Sequence, residues 1–292
     1  MRTLKLFIAA ILISTAIHAQ QSTIYENKSF HSEKLQREVN YALYLPASYN
    51  TSDKAYPVLY LLHGGSGSHV DWVRNGTVQQ IADQSIAAGK SIEMIIVMPD
   101  AWDTWYANGT EPNSNYEDMF ISELIPYIEA NYRTITQKSY RAIAGLSMGG
   151  FGALNYTLHH PNLFGITCAY SPAVRTDNDI TEMEQNTYDN RFHTLFGTKG
   201  KVGNARLNPA WRRYDVLTQV REFPEADRRK LNIHVYCGDD DYLFPGNTQL
   251  WAELNKARIP FQFRVLDGAH TWSFWRMSLR ETLPIISAQF TR

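Results

Sequence analysis

The chain has 292 residues, with 28 Lys or Arg against 29 Asp or Glu, and therefore a formal net charge of −1. Its 44% of hydrophobic residues excludes a disordered or collagen-like chain, and the neutral balance argues against a nucleic-acid-binding protein, which needs a basic surface. Two cysteines are too few for a disulfide scaffold or a four-thiolate zinc site.

Residues 1–19 have the three parts of a secretory signal peptide. Arg2 and Lys5 form a short positive region, residues 6–17 are almost wholly apolar, and small residues lie around Ala19. The apolar run is too short to span a bilayer comfortably, and no later segment is long and apolar enough for a membrane helix. The pattern predicts cleavage after Ala19, no membrane insertion, and a secreted or periplasmic mature protein.

Residues 20–292 contain no linker, repeat or low-complexity tract, which favours a single domain. Residues 37–45 alternate partly between apolar and polar side chains and predict an early antiparallel strand. Short apolar runs follow, each ending at or near Gly, Pro or Asp: residues 58–62, 94–98, 140–144, 164–170, 233–237 and 261–266. Strands that are apolar on both faces predict a parallel sheet covered by helices.

Helical periodicity lies between these strands. Residues 116–132 and 248–258 repeat their apolar side chains at the spacing of an amphipathic helix. The alternation of strands and helices predicts a doubly wound, mostly parallel α/β sheet with helices on both faces, in which ligands bind beyond the carboxyl ends of the strands. Residues 174–230 are long for a crossover and predict short helices and loops over the edge of the sheet, where a substrate lid could sit.

The motif Gly-Leu-Ser-Met-Gly at residues 145–149 follows a predicted strand and precedes a helix start. This is the strand–turn–helix context of a nucleophile elbow, which predicts Ser147 as a nucleophile. A serine hydroxyl needs a base, and on this fold the chain order is Ser, then Asp or Glu, then His. His270 follows the last predicted strand and a glycine turn, and is therefore the predicted base.

The acid that orients this base is predicted to be one of the three aspartates at residues 239–241, which directly follow a strand. Three adjacent carboxylates cannot all be buried and ionised, because like charges raise each other's pKa. Asp267 is an alternative, but its place before a turn favours a turn role. For the oxyanion hole we predict the backbone N–H groups of Met148 and of Gly65, with His63 supporting the loop that holds Gly65.

With these motifs in place, the chain resembles the esterase-D-like branch of the α/β-hydrolase superfamily, and within it the family 1 carbohydrate esterases, which include feruloyl and acetylxylan esterases. The matching segments are residues 56–65, 95–99, 116–133, 141–150, 237–243 and 268–275. In that family the acid precedes an aromatic-Leu pair, so the resemblance selects Asp241, ahead of Tyr242 and Leu243. It also implies an α/β-hydrolase fold and catalysis without a metal or organic cofactor.

The resemblance implies hydrolysis of a carboxylic ester through an acyl-enzyme, with a plant cell-wall ester, feruloyl or acetyl on xylan, as the substrate. A siderophore-lactone esterase and an acyltransferase are alternatives on the same scaffold. A non-catalytic carbohydrate-binding protein is a third, against which the intact triad residues argue. No obligate protein partner is evident from the sequence.

Tryptophans concentrate just beyond the predicted strand ends, where a substrate would bind. We predict that Trp102, Trp105, Tyr106 and Trp272 contact the substrate, whereas Trp275 is equally well explained as packing of the last helix.

Cys168 and Cys237 lie near the ends of strands that are expected to be neighbours in the sheet. A disulfide is possible in an oxidising compartment, but adjacent parallel strands rarely provide the geometry that it requires. We therefore expect two buried thiols.

Overall fold

The computed structural model describes residues 21–291, so the predicted signal peptide, residues 1–19, lies outside the described residues. The described chain contains one eight-stranded sheet in the order β1-β2-β4-β3-β5-β6-β7-β8. The strands are β1 (Thr23–Ser32), β2 (Arg37–Leu45), β3 (Val58–Leu62), β4 (Ile95–Pro99), β5 (Arg141–Leu146), β6 (Ile166–Tyr170), β7 (Ile233–Gly238) and β8 (Phe261–Leu266).

The sheet is mostly parallel. Strand β2 is antiparallel to both β1 and β4, and the neighbouring pairs from β4 through β3, β5, β6 and β7 to β8 are all parallel. The predicted fold class is thus confirmed. Only β1 lacked a prediction: it is an edge strand whose polar, largely exposed side chains do not form an apolar run.

The helices are α1 (Asp71–Arg74), α2 (Val78–Ala87), α3 (Tyr116–Met119), α4 (Ile125–Asn131), α5 (Met148–His159), α6 (Asp177–Thr181), α7 (Gln185–Phe196), α8 (Pro209–Tyr214), α9 (Val216–Glu222), α10 (Phe244–Lys256) and α11 (Trp272–Phe290). A π-helical turn, Phe120–Leu124, joins α3 to α4, so the helix predicted for residues 116–132 is continuous but not uniform. The helix predicted for residues 248–258 begins earlier, at Phe244, because Pro245 suits the first turn of a helix.

Both faces of the central strands, β3 to β7, are buried, whereas the edge strand β8, predicted to be apolar on both faces, has exposed side chains. Along β3, the side chains of Val58, Tyr60 and Leu62 pack into a core on one face, and those of Leu59 and Leu61 pack into a second core on the other. The second core includes side chains of α2 and α11, whereas the first includes side chains of α3, α4 and α5. A strand covered on both faces has no polar alternate positions, which explains the continuous apolar runs in the sequence.

The two cysteines lie on neighbouring strands, Cys168 on β6 and Cys237 at the end of β7. Both are buried and free, as expected from the sequence. Burial raises the pKa of the Cys237 thiol to about 12, so this thiol is not a reactive nucleophile.

Among residues 21–291, no helix combines the length and apolar character needed to cross a bilayer.

Candidate active site

Ser147 occupies the sharp turn between β5 and α5. Its backbone angles, φ 52° and ψ −114°, lie in a region that costs energy for a residue with a side chain. Glycine is required on both sides of it. A Cβ on Gly145 would lie 2.5 Å from the carbonyl carbon of Gly149, and a Cβ on Gly149 would lie 2.5 Å from the Leu62 carbonyl oxygen. The backbone N–H of Ser147 donates to the Tyr170 carbonyl at 2.9 Å, which anchors the turn to β6.

His270 joins this serine to an aspartate. Its Nε2 lies 3.0 Å from Ser147 Oγ, and its Nδ1 lies 2.8 Å from Asp241 Oδ2. Because the carboxylate accepts the Nδ1–H, Nε2 is left to accept the serine hydroxyl proton. Of the three adjacent aspartates, only Asp241 is buried; Asp239 and Asp240 are exposed. The structure thus brings together Ser147, His270 and Asp241.

The Asp241 carboxylate is stabilised in its ionised form. Burial raises its pKa, but hydrogen bonds from His270 and from the backbone N–H of Leu243 outweigh this effect and hold the pKa below its usual range. The Leu243 N–H donates to Oδ1 at 2.8 Å, which also keeps the carboxylate in place beneath the imidazole.

The loop after β3 is held by His63, as expected. The backbone N–H of Ala101 donates to His63 Nε2 at 2.9 Å, so the ring carries its proton on Nδ1, which donates to the Gly64 carbonyl at 2.7 Å. Gly65 and Met148 both line the cavity beside Ser147. Met148 is the first residue of α5, where backbone N–H groups have no acceptor within the helix and carry a partial positive charge.

The three residues Ser147, His270 and Met148 border a cavity of about 560 Å³, a size typical of small-molecule sites. Two of the predicted substrate contacts, Trp105 and Trp272, line this cavity. Trp105 is held by the rings of Phe151 and Phe192, with centroids at 5.6 and 4.8 Å.

The prediction for Tyr106 is wrong, and Trp102 does not line this cavity, so its contact with a substrate stays a prediction. Tyr106 is fully buried, and its hydroxyl donates to the His63 carbonyl at 3.0 Å, so it supports the loop after β3 instead of meeting a ligand. Trp102 lies outside the cavity wall: the guanidinium of Arg37 stacks over its ring at 3.7 Å, and its edge packs against Tyr116.

The cavity residues that were not identified from the sequence include Tyr242, Arg175, Asn190 and Arg191. Tyr242 is 64% exposed, and its ring centroid lies 4.7 Å from that of His270. Its position directly after the acid was a usable signal. Asn190 and Arg191 come from α7 in the long crossover, a segment that forms short helices as predicted but carries no motif. Its role as a lid stays a prediction.

Possible metal ligands form one group within the described chain: Asp239, Asp240 and Asp267, whose carboxylate oxygens lie within 4.8 Å of one another. All three side chains are exposed, and Asp239 accepts the backbone N–H of Gly268. Exposed acidic groups of this kind are common without a metal. Asp267 lies in the bend after β8, as the sequence predicted. The carboxylate that contacts the His270 imidazole is that of Asp241, not that of Asp267.

Comparison with known proteins relates this chain to esterases. The family model described as "Putative esterase" matches residues 32–286. A solved structure of a ferulic acid esterase is 32% identical, covers 92% of this chain and 99% of that chain, and superimposes with a TM-score of 0.79.

Two curated relatives match over shorter stretches. An esterase of Mycobacterium tuberculosis is 43% identical over 131 residues, which is 44% of this chain and 27% of that protein. An endo-1,4-beta-xylanase/feruloyl esterase of Xylanibacter ruminicola is 36% identical over 144 residues, which is 47% of this chain and 20% of that protein. The chain therefore matches about a quarter or less of the length of these two relatives.

Proposed function

Because the chain belongs to the putative esterase family, we propose that it is a carboxylic ester hydrolase in which Ser147, His270 and Asp241 form the catalytic triad. The observation that carries this proposal is a series of hydrogen bonds that runs from Ser147 Oγ through the His270 ring to the buried Asp241 carboxylate. Ser147 and His270 line the cavity.

In the first half-reaction, Ser147 Oγ attacks the ester carbonyl carbon while His270 Nε2 accepts the hydroxyl proton. The carbonyl oxygen becomes an oxyanion, for which the N–H groups of Gly65 and Met148 are the proposed donors. The bond to the alcohol oxygen then breaks, and the proton on His270 Nε2 passes to the departing alcohol. Asp241 stays ionised and stabilises the imidazolium that forms in between.

In the second half-reaction, water replaces the alcohol. It gives a proton to His270 Nε2 as its oxygen attacks the acyl carbon, and the same two N–H groups stabilise the second oxyanion. Collapse of this intermediate returns the proton to Ser147 Oγ and releases the carboxylic acid. No step uses a metal or an organic cofactor.

For the natural substrate we propose a plant cell-wall ester, feruloyl or acetyl on xylan. The similarity to a ferulic acid esterase across 92% of the chain supports this class, as does the match to a xylanase/feruloyl esterase. Trp105, Trp272 and Tyr242 provide flat apolar surface beside the nucleophile, which suits a phenolic ring or a sugar.

The test is the variant Ser147→Ala assayed on methyl ferulate and on an aryl acetate. Loss of hydrolysis of both esters, with an unchanged thermal unfolding midpoint, supports the proposal. Retained turnover would refute the assignment of the nucleophile. Acetylated xylan and a catecholate trilactone, assayed in parallel, distinguish a cell-wall esterase from a siderophore-lactone esterase, and product analysis with a sugar acceptor distinguishes hydrolysis from acyl transfer.

We also propose that the protein is exported, on the basis of the signal-peptide pattern in residues 1–19. Fractionation of cells that express the full chain or the chain from residue 20 tests this proposal. The proposal is supported if the full chain is exported and the chain from residue 20 is not. It is contradicted if both forms remain in the cytoplasm.

A further inference from the structure

Two arginines share one wall of the catalytic cavity. Arg175 follows β6 and is partly buried, and Arg191 lies on α7 and is exposed. Within residues 21–291, no ion pair or hydrogen bond engages either guanidinium. The Nε–H of Arg175 is also shielded from solvent without an acceptor. The wall therefore presents two cationic groups whose donors are not used by the protein.

The fully buried Arg206, by contrast, is engaged by acceptors. Arg206 is 1% exposed, and its guanidinium donates to Lys201 O, Ile180 O, Met183 O and Gln185 Oε1. The shielded Nε–H of Arg175 is costly, because it has lost water without gaining a hydrogen bond. Burial, together with the neighbouring Arg191 charge, lowers the pKa of Arg175. An anionic ligand would relieve both the missing hydrogen bonds and the repulsion between the two cations.

Another part of the cavity wall carries the opposite charge. Asp71 and Asp103 line the cavity beside the loop after β3, where the Ser66 N–H donates to Asp103 Oδ1 at 2.7 Å. An anion placed there would be repelled. The cavity is therefore polarised, with a negative wall at the proposed oxyanion hole and a positive wall formed by Arg175 and Arg191.

The positive wall and His270 both neighbour Tyr242. Arg175 is close enough to Tyr242 to interact with it electrostatically, and the Tyr242 ring packs against His270. In the proposed mechanism, His270 Nε2 gives its proton to the alcohol oxygen, so the alcohol half of the ester lies on this side.

We propose that Arg175 and Arg191 bind a carboxylate on the alcohol half of the ester, so that the preferred substrates are esters of acidic carbohydrate such as uronic acid residues. This inference rests on the proposed ester hydrolase function and specifies its substrate class. The two arginines are specificity residues, because they hold the substrate and take no part in proton transfer.

The experiment compares 4-acetoxybenzoate with 4-acetoxybenzamide, which differ in charge at one position of the alcohol half. We expect the ratio of their kcat/KM values, after correction for their rates with hydroxide, to favour the carboxylate by about fivefold or more in the wild type at low salt. Arg175→Gln and Arg191→Gln each lower this ratio toward one. The matched control Arg229→Gln, on the exposed turn Glu225–Lys230 before β7, leaves it unchanged.

A ratio that is near one in the wild type, or that Arg191→Gln does not alter, overturns the inference. The inference is also overturned if the enzyme prefers a negative charge on the acyl half of the ester but not on the alcohol half. The acyl preference is measured by comparing 4-nitrophenyl hydrogen succinate with 4-nitrophenyl butyrate. Arg191 is exposed, so its variant remains informative even if Arg175→Gln does not fold. Hydrolysis of the neutral ester 4-acetoxybenzamide by the wild type, and its loss in Ser147→Ala, supports the ester hydrolase function whatever the charge preference. Failure of this inference can therefore be distinguished from failure of the proposed function.

Discussion

His270 Nε2 lies 3.0 Å from Ser147 Oγ, although 123 positions separate the two residues along the chain. Ser147 follows β5 and His270 follows β8, and these strands point the same way in the parallel part of the sheet. The carboxyl ends of parallel strands meet at one edge, so residues that directly follow different strands come together there. The catalytic arrangement is thus a consequence of sheet topology.

Replacing Asp241 by Asn should lower kcat by on the order of a thousandfold or more on an aryl acetate. The amide cannot hold the Nδ1–H tautomer of His270 as the carboxylate does, so Nε2 no longer accepts the serine proton. Steady-state kinetics measure the loss. Asp240→Asn is the matched control, because this neighbour is exposed, and we expect wild-type rates for it. Equal losses in the two variants would contradict the assignment of the acid.

The glycines around the nucleophile should separate stability from activity. A Cβ on Gly149 meets backbone atoms of Leu62 and His63, so we expect Gly149→Ala to cost about 3 kcal/mol or more of unfolding free energy. A Cβ on Gly65 meets nothing closer than Asp103 Oδ1 at 3.9 Å. Gly65→Ala should therefore keep its stability but lower kcat/KM, because the methyl group narrows the approach to the proposed oxyanion hole. Urea unfolding and kinetics on both variants test this contrast.

Trp105→Ala should raise KM for methyl ferulate more than for a small acetate, because Trp105 lines the cavity beside the nucleophile. A general loss of stability would change the amount of active enzyme for both substrates equally, so the ratio of the two KM values is the informative quantity. Trp251→Ala is the control, since Trp251 is 48% exposed and lies outside the cavity wall. An unchanged ratio in Trp105→Ala would assign this residue to core packing alone.

Acid stability should depend on Glu117. This buried carboxylate lies 2.7 Å from His159 Nδ1, 2.9 Å from His160 Nε2 and 2.7 Å from the Tyr214 hydroxyl. Burial raises its pKa, but the hydrogen bonds from these three residues outweigh that effect and hold the pKa well below its usual range. The network joins α3, the end of α5 and α8, and therefore ties the long crossover between β6 and β7 to helices that cover the sheet.

Glu117→Gln should lower the unfolding free energy at pH 7 by about 2 to 3 kcal/mol. A depressed pKa stabilises the folded state above the unfolded carboxyl value of about 4.3, and the contribution is lost as the pH falls below it. The difference between wild type and variant should therefore begin to shrink below about pH 4, and it should keep shrinking as the pH falls toward the depressed pKa of the folded state. Urea titrations across this range provide the measurement. The control is Glu38→Gln, which removes an exposed partner of His31 and should change the unfolding free energy by less than about 0.5 kcal/mol. If the unfolding free energies of wild type and Glu117→Gln differ by the same amount at all pH values, the argument is contradicted.

Much of the site could be predicted from the sequence, because the patterns that indicate it lie within short stretches of the chain. The apolar runs of β3 and β5 reflect burial on both faces, and the glycines at residues 145 and 149 reflect steric limits within a few residues of Ser147. The aspartates were different. The strand end predicted all three equally, and the resemblance to carbohydrate esterases selected Asp241; in the structure this is the buried one, with its carboxylate at His270.

By itself, the sequence determined the parallel sheet, the turn at Ser147 and the position of His270 after the last strand, since each depends on neighbours along the chain. Only the tertiary structure decided which aromatic side chains face the cavity: Trp105 and Tyr106 are adjacent, yet the first lines the wall and the second is buried beneath His63. The tertiary structure also brings Arg175 and Arg191 to one wall of the cavity, where within the described chain neither guanidinium has a hydrogen-bond acceptor. Such facts depend on which surfaces meet when distant segments pack, and no local pattern records them.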